Sequence, residues 1–209
     1  MTSTDRAALT FTLGLAAASW VVALQQMSGM DMGAATELGS FGFFMAVWVP
    51  MMAAMMLPGA VPAVSSFIRS SGRALAAPLF AGSYLAVWTL FGLAAYVLYR
   101  PHGSSVAGAL TIAAGVYEVT PLKRDCRRRC RENTRSGFHF GFYCVGSSIG
   151  LMVVLFALGV MSIAWMSVIA ALVLAQKLLP LRMWVDVPVA LAIIAVGILT
   201  AVAPSTVPI

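Results

Sequence analysis

The chain has 209 residues, of which 61% are hydrophobic and only 10% are charged. Its mean hydropathy of +0.93 lies far above the range of soluble domains. No polar segment is long enough to fold separately, which excludes a soluble catalytic domain. We therefore expect one integral membrane domain that covers residues 1–209.

Apolar runs long enough to cross about 30 Å of hydrocarbon predict an all-α, polytopic transmembrane helix bundle. Seven spans are expected; six are the alternative, because only Gly159 and Ser162 separate the fifth run from the sixth. The first run follows Arg6 as a signal peptide would, but ALQQMSG lacks a small-x-small cleavage site, so we expect it to be retained. The predicted spans cover residues 8–25, 42–67, 78–99, 104–121, 138–159, 161–179 and 185–203.

Basic residues fall almost entirely on one side of these seven spans. Of the 13 Lys and Arg residues, all except Arg100 lie on the side of the N-terminus. The N-terminus is therefore predicted to be cytoplasmic and the C-terminus external. The formal net charge of +6 then belongs to a cytoplasmic rim that faces anionic membrane lipids. A nucleic-acid partner is not expected, because no aromatic stacking residues accompany the basic run.

Four methionines crowd into six positions of the second predicted span, in WVPMMAAMMLPG at residues 48–59. Helical spacing forms two pairs four residues apart, and each pair can bring two sulfurs to one ion. Thioether sulfur favours Cu(I), whereas the alternative is that these side chains only fill gaps between helices. Pro50 is expected to bend the helix, and Pro58 and Pro62 to break its far end. The four methionines are Met51, Met52, Met55 and Met56.

The first external loop, QQMSGMDMGAATELG, is a second sulfur-rich segment. It places three thioethers beside one carboxylate, a set that suits the capture of copper from outside. The alternative is a Gly-rich flexible loop with incidental methionines. The four residues are Met27, Met30, Asp31 and Met32.

A strongly basic run, YEVTPLKRDCRRRCRENTR at residues 117–135, follows the fourth span. Its Cys126 and Cys130 lie one helical turn apart among cations that favour the thiolate. A cytoplasmic location argues against a structural disulfide, so this pair is a candidate Cu(I) site. The alternative is two reduced, solvated cysteines on the lipid-facing rim. Glu118 is expected to form a plain ion pair with the basic run.

The fifth span opens with HFGFYCVGSSIGLM, which carries His139 and Cys144. These two residues are five positions apart, so their side chains do not lie on the same face of one helix. A metal site that includes either of them would need ligands from another helix. For His139 the alternative is a polar anchor at the membrane boundary. Two pairs of glycines at small-xxx-small spacing predict close contact between helices. They are Gly137, Gly141, Gly146 and Gly150.

The sequence lacks the contexts that the common catalytic templates require. Its G-x-S-x-G match, GSSIG at residues 146–150, lies inside the predicted fifth span and not at a strand-to-helix elbow, and no Gly-rich loop ends in Lys-Ser or Lys-Thr. A membrane copper oxygenase needs several imidazoles at its metal, and His102 and His139 are the only two histidines. We therefore expect that the chain is not an enzyme.

Several of these motifs together resemble a known family. They are M-D-M-G after the first span, W-x-x-M-M-x-A-M-M-L-P in the second, Y-x-x-T-P-L-K-x-x-C-x-x-x-C-R after the fourth, and Y-C-x-G-x-x-x-x-L-M then G-V-M-S in the last third. From about residue 20 to residue 180 the chain is similar to the bacterial predicted metal-binding integral membrane proteins. Some of that family are described as copper chaperones for polyphenol oxidases. The resemblance implies a multi-pass protein of the bacterial cytoplasmic membrane.

The resemblance also implies that copper is handled by the clustered sulfur residues. The chain departs from the family pattern at Ser147 and Ser148, where members often carry Cys-Cys, and at Gln176, where they often carry an acidic residue. If those groups are ligands in the family, the departures weaken metal binding here or favour a structural role. The implied copper-handling residues are Met30 to Met32, Met51 to Met56, Cys126, Cys130 and Cys144.

Two functions from different classes follow from the sequence. The first is a Cu(I) metallochaperone or carrier, which takes copper at the external methionines, holds it at the sulfurs of the second span and delivers it to an oxidase. The second is a non-catalytic structural or accessory subunit of a larger membrane enzyme complex, with a copper-dependent enzyme as one case. In that complex the methionines pack and the glycines bring helices together. Stoichiometric bound copper would distinguish the two.

Overall fold

The protein is described by a computed structural model, in which all regular secondary structure of the described residues is helical. This confirms the predicted all-α class. The described residues are 3–28, 38–72, 75–132, 134–160, 162–179 and 183–203. The α-helices are α1 (Ser3–Met27), α2 (Phe41–Met56), α3 (Val61–Ser71), α4 (Ala76–Leu98), α5 (Ser104–Glu118), α6 (Pro121–Glu132), α7 (Gly137–Leu158), α8 (Ile163–Leu178) and α9 (Met183–Val202).

Three helices of the described residues are long and apolar enough to cross a membrane unaided. They lie at Leu9–Met27, Ala76–Leu98 and Gly137–Leu158, and two bent helix pairs raise the number to five if each pair is one span. The apolar helices Ile163–Leu178 and Asp186–Val202 are shorter. Helical spans are thus supported, whereas the predicted total of seven is not confirmed.

Proline breaks the second predicted span near its middle. A 3-10 turn at Pro58–Ala60 separates α2 from α3, and the two helices meet at an angle of 47°. Pro58 and Pro62 lack the N–H that would continue the ladder, so the break falls where the sequence predicts it. Pro50, by contrast, lies inside a continuous α2.

The basic run also forms a helix of its own, α6. It continues from α5 after a bend of 62° at Val119 and Thr120. Lys123 and Arg127 on this helix are only 1% and 5% exposed. The expectation that the whole run forms a rim facing lipid is therefore wrong for these two side chains.

The boundary between the fifth and sixth predicted spans lies where the sequence marks it. Helix α7 ends at Leu158, and Gly159 takes a φ of 128°, which favours glycine. Ser162 then caps α8, since its hydroxyl accepts a hydrogen bond from the Trp165 N–H at 3.5 Å. These are two separate helices.

The contacts divide the chain into two compact units, and helices α6 and α7 contribute to both. The first unit consists of the described residues within 1–26, 39–98 and 126–146, and the second of those within 27–38, 99–125 and 147–209.

In the first unit, α2 and α4 pack closely because Trp48 lies against Gly92. A Cβ atom at Gly92 would lie 2.2 Å from the Trp48 indole nitrogen. That nitrogen donates a hydrogen bond to the Trp88 carbonyl at 2.9 Å. Further along, the rings of Phe44 and Tyr96 lie 5.3 Å apart. Since α2 residue numbers rise as α4 numbers fall, the two helices run antiparallel.

Glycines on α7 bring that helix against α4, as the small-xxx-small pattern predicts. A Cβ atom at Gly137 would lie 2.1 Å from the Phe80 carbonyl oxygen, and one at Gly141 would lie 3.0 Å from Val87. At Gly146 the nearest atom would be the Cys126 sulfur at 2.8 Å. Only a residue without a side chain permits such an approach.

In the second unit, a buried polar cluster joins α5, α6 and α8. Lys123 forms an ion pair with Glu118, which confirms the predicted pairing of this carboxylate. The Lys123 ammonium also donates to the Gln176 side-chain oxygen at 3.0 Å, and the Gln176 amide donates to Glu118 at 2.6 Å. Gly150 leaves room for this cluster, since its Cβ would lie 3.0 Å from Glu118 Oε1.

The close packing of α2 on α4 is tested by Gly92→Ala. We expect the variant to lose about 1–3 kcal/mol of unfolding free energy, because the new methyl group displaces the buried Trp48 ring. Gly82→Ala on the same helix is the control, since nothing lies within 4 Å of its Cβ position. SDS titration of both variants in mixed micelles, followed by circular dichroism, measures the difference; equal stability of the two would contradict the packing described.

The polar cluster is tested by Lys123→Met. Removing the ammonium leaves the buried Glu118 carboxylate with the Gln176 amide as its remaining donor. Loss of one partner from a buried ion pair lowers the unfolding free energy by about 3–5 kcal/mol. Arg128→Met on the same helix is the matched control, because Arg128 is exposed and surface pairs contribute about 0–1 kcal/mol. The same SDS titration compares them. If Lys123→Met lowers the unfolding free energy no more than Arg128→Met does, the result would argue against a buried ion pair.

Candidate metal centre

The four clustered methionines all lie inside the first unit. None of them is more than 2% exposed. Helix α2 therefore buries an arc of sulfur over its last two turns, as the sequence predicts for either packing or metal binding. The buried members are Met51, Met52, Met55 and Met56.

The position of Trp48 shows which methionines lie nearest to α4. Each residue turns a helix by about 100°, so Met55 and Met52 lie about 20° and 40° around α2 from Trp48. Met51 and Met56 lie about 60° and 80° away, on opposite sides. Because Trp48 contacts Gly92 of α4, Met52 and Met55 are the pair on the α4 side. The sequence alone favours pairs four residues apart and does not single out this one.

Cys144 on α7 is fully buried and lies beside a tyrosine of α4. Its sulfur is 3.2 Å from the Tyr84 hydroxyl, within hydrogen-bonding distance for sulfur. The Tyr84 ring also lies 5.3 Å from the ring of Phe140. This thiol therefore lies where α7 meets α4, and it needs another helix to form a site, as the sequence suggests.

Cys130 on α6 lies close to the same tyrosine. Its sulfur, 6% exposed, donates a long hydrogen bond to the Phe140 carbonyl at 3.8 Å. Tyr84 is within electrostatic range of both the Cys144 and the Cys130 thiols. The alternative in which both cysteines of the C-x-x-x-C pair are solvated is therefore wrong for Cys130. Cys126 is only partly buried.

The remaining sequence candidates differ in where they lie. Met27 is buried at the end of α1. Met30, Asp31 and Met32 lie outside the described residues. His139 is exposed on α7, apart from the buried Cys144, which fits the polar-anchor alternative.

Nitrogen and oxygen ligands do not form a metal site by themselves here. Across the described residues, no three or more His, Cys, Asp and Glu side chains group closely enough to hold a metal ion. Among the described residues of the first unit, two thiols and four thioethers are fully or almost fully buried soft donors. An ion held in this unit would therefore depend on methionine sulfur, which suits a soft monovalent cation.

Sequence reasoning missed Tyr84, whose hydroxyl contacts the Cys144 sulfur, and Trp88, whose indole lies beside Tyr84. Both are fully buried in α4. The sequence feature that could have pointed to them is a phenol and an indole in the middle of an apolar helix, where each polar atom requires a hydrogen-bond partner.

Comparisons with known proteins point to one family. Neither the curated proteins nor the solved structures contain a significant match to the chain. A family profile described as "PpoB2: Copper chaperone" matches residues 45–200, which is well over half of the chain. The matched region includes the methionine cluster and all three cysteines. The chain therefore belongs to this copper chaperone family.

Proposed function

We propose that the chain is a membrane Cu(I) chaperone that holds copper at the methionines of α2 and delivers it to a copper-dependent oxidase. The observation that carries this proposal is the complete burial of four clustered thioethers in a member of a copper chaperone family. Copper is the cargo here, and no catalytic step on the chain is required.

The chemistry of the buried methionines suits a carrier. Thioether sulfur is a soft, neutral donor that prefers Cu(I) to the harder ions abundant in cells. Burial keeps water away from the ion, which limits exchange and oxidation by dissolved reagents. Because thioethers carry no charge, they hold the ion less strongly than a set of thiolates would, and the cargo can be released to a client.

The surface of the helices supports a membrane location. Large apolar side chains are exposed along α4 and α9, as expected where lipid is the solvent. They include Leu79, Leu90, Val97 and Leu98 on α4, and Leu191, Leu199 and Val202 on α9. A soluble protein would rarely expose so much apolar surface without a partner to cover it.

We further propose seven crossings, with the N-terminus in the cytoplasm and the C-terminus outside. The 16 residues of α8 extend only about 24 Å, so this helix would cross where the bilayer thins locally. In this topology the external loop with Met30 to Met32 receives copper, and the basic helix α6 faces the cytoplasm.

The carrier role is tested by copper binding to the full chain in detergent. Purified anaerobically with Cu(I), the protein is expected to retain about one copper per chain. Replacing Met51, Met52, Met55 and Met56 together by Leu should abolish this copper, because Leu keeps the volume and removes the sulfur. Copper measured by atomic absorption against protein concentration gives the result.

The matched control replaces two methionines outside the cluster, Met152 and Met166, by Leu. Both are fully buried, so the change in packing is comparable, and copper should stay bound. Equal loss of copper in the cluster and control variants would contradict a site on α2. Near-zero copper in the unsubstituted chain would favour the accessory subunit instead, and stoichiometric partners should then copurify in mild detergent.

The proposed topology is tested by reporter fusions at the two ends of the chain. Alkaline phosphatase is active only outside the cytoplasm, and green fluorescent protein is fluorescent only inside it. We expect phosphatase activity from the C-terminal fusion and fluorescence from the N-terminal one, because an odd number of crossings puts the ends on opposite sides. Both ends reporting the same side would refute seven crossings.

A further inference from the structure

The contact between Trp48 and Gly92 fixes which residues of α2 and α4 lie at the same height in the first unit. In antiparallel helices with a rise of about 1.5 Å per residue, four residues further along α2 correspond to four residues back along α4. Met52 therefore lies at the height of Trp88, and Met55 at the height of Leu85. The methionine pair on the α4 side is thus level with the middle of α4.

Helix α7 brings Cys144 to the same region from the neighbouring side of α4. Trp88 and Tyr84 lie about 40° and 80° around α4 from Gly92, in the same direction. That direction leads to α7, because a Cβ atom at Gly141 would lie 3.3 Å from the Tyr84 ring. The Tyr84 hydroxyl then reaches the Cys144 sulfur at 3.2 Å.

We propose that Cys144 binds the same copper ion as Met52 and Met55, as the one anionic ligand of a three-sulfur site. This inference rests on the proposed Cu(I) chaperone function and specifies its site. We call these three residues, with Tyr84 and Trp88 beside them, the sulfur layer. All five side chains are buried, each no more than 2% exposed.

Charge balance explains why a thiolate is needed in the sulfur layer. A monovalent cation enclosed by neutral thioethers and aromatic rings would carry an uncompensated buried charge, which is costly at low dielectric constant. When Cu(I) binds, the Cys144 S–H bond breaks, the Cu–S bond forms and one proton leaves to solvent. Copper remains Cu(I), and the buried complex is neutral.

Two observations favour Cys144 over the other thiols. The Cys130 sulfur is directed at the Phe140 carbonyl, and Cys126 packs against the Gly146 position while partly exposed. The Tyr84 hydroxyl, by contrast, lies 3.2 Å from the Cys144 sulfur, with the buried Trp88 indole beside it. A thiolate at Cys144 would accept a charge-assisted hydrogen bond from this hydroxyl, which would stabilise the buried anion.

The sulfur layer is tested by anaerobic Cu(I) titration of the full chain in detergent, with a competing Cu(I) chelator to give the affinity. Thiolate ligation of Cu(I) produces charge-transfer absorption in the near ultraviolet, which thioether ligation alone does not. Unsubstituted protein should show this absorption, saturating at one copper. Cys144→Ser should remove it and weaken Cu(I) binding at least tenfold, since even the loss of an outer-sphere contact to a metal ligand costs about 10–100-fold.

Cys126→Ser and Cys130→Ser are the matched controls and should keep both the absorption and the affinity. Met52→Leu with Met55→Leu should weaken copper binding, whereas Met152→Leu with Met166→Leu should not. If Cys144→Ser keeps the absorption, or Cys130→Ser removes it, the assignment of Cys144 is wrong while the chaperone function stands. If the unsubstituted chain binds no copper, the chaperone function itself fails.

A measurement on the unsubstituted chain covers the case in which Cys144→Ser does not fold. Copper X-ray absorption of the loaded protein should show sulfur ligands only, with one shorter Cu–S bond from the thiolate and two longer ones from the thioethers. A spectrum fitted by thioether sulfur alone, or by two thiolates, would overturn the three-sulfur site.

Discussion

The contact of Trp48 with Gly92 is the constraint on which the arrangement of the first unit depends. An indole ring fits between α2 and α4 only because residue 92 has no side chain, and its N–H is satisfied by the Trp88 carbonyl. This single contact sets both the distance and the register of the two helices. It therefore also sets where the buried methionines, one and two turns beyond Trp48, lie along α4 and in which direction they face.

Glycines on α7 have the same effect from the other side of α4. At Gly137 and Gly141 the helix backbone approaches α4 closely enough to bring Cys144 within reach of Tyr84. In the proposed membrane location there is no hydrophobic drive between helices, so close packing and enclosed polar contacts have to hold them together. The glycines that allow this close packing therefore also set the position of Cys144 relative to Tyr84.

Local features of the fold could be predicted from the sequence, whereas contacts between helices could not. Pro58 marks the break after α2, and Gly159 with Ser162 marks the turn before α8, because each acts through its own backbone. The burial of Lys123 depends on Gln176 more than fifty residues away, and the pairing of Cys144 with Tyr84 depends on the register of two helices. No periodicity within one segment contains that information, so the sequence predicts candidate sulfur residues but not which of them lie near one another.

The two units treat charge in different ways, which bears on what each can bind. In the second unit the carboxylate of Glu118 is already compensated by Lys123 and Gln176, so this hard oxygen site is electrically satisfied before any ion arrives. In the first unit the sulfur layer is apolar and neutral, and a thiol supplies an anion only when a metal replaces its proton. At the proposed copper site, a soft monovalent ion would therefore be compensated by the thiolate among the sulfurs. The proposed preference for Cu(I) rests on this distribution of charge as well as on the softness of sulfur.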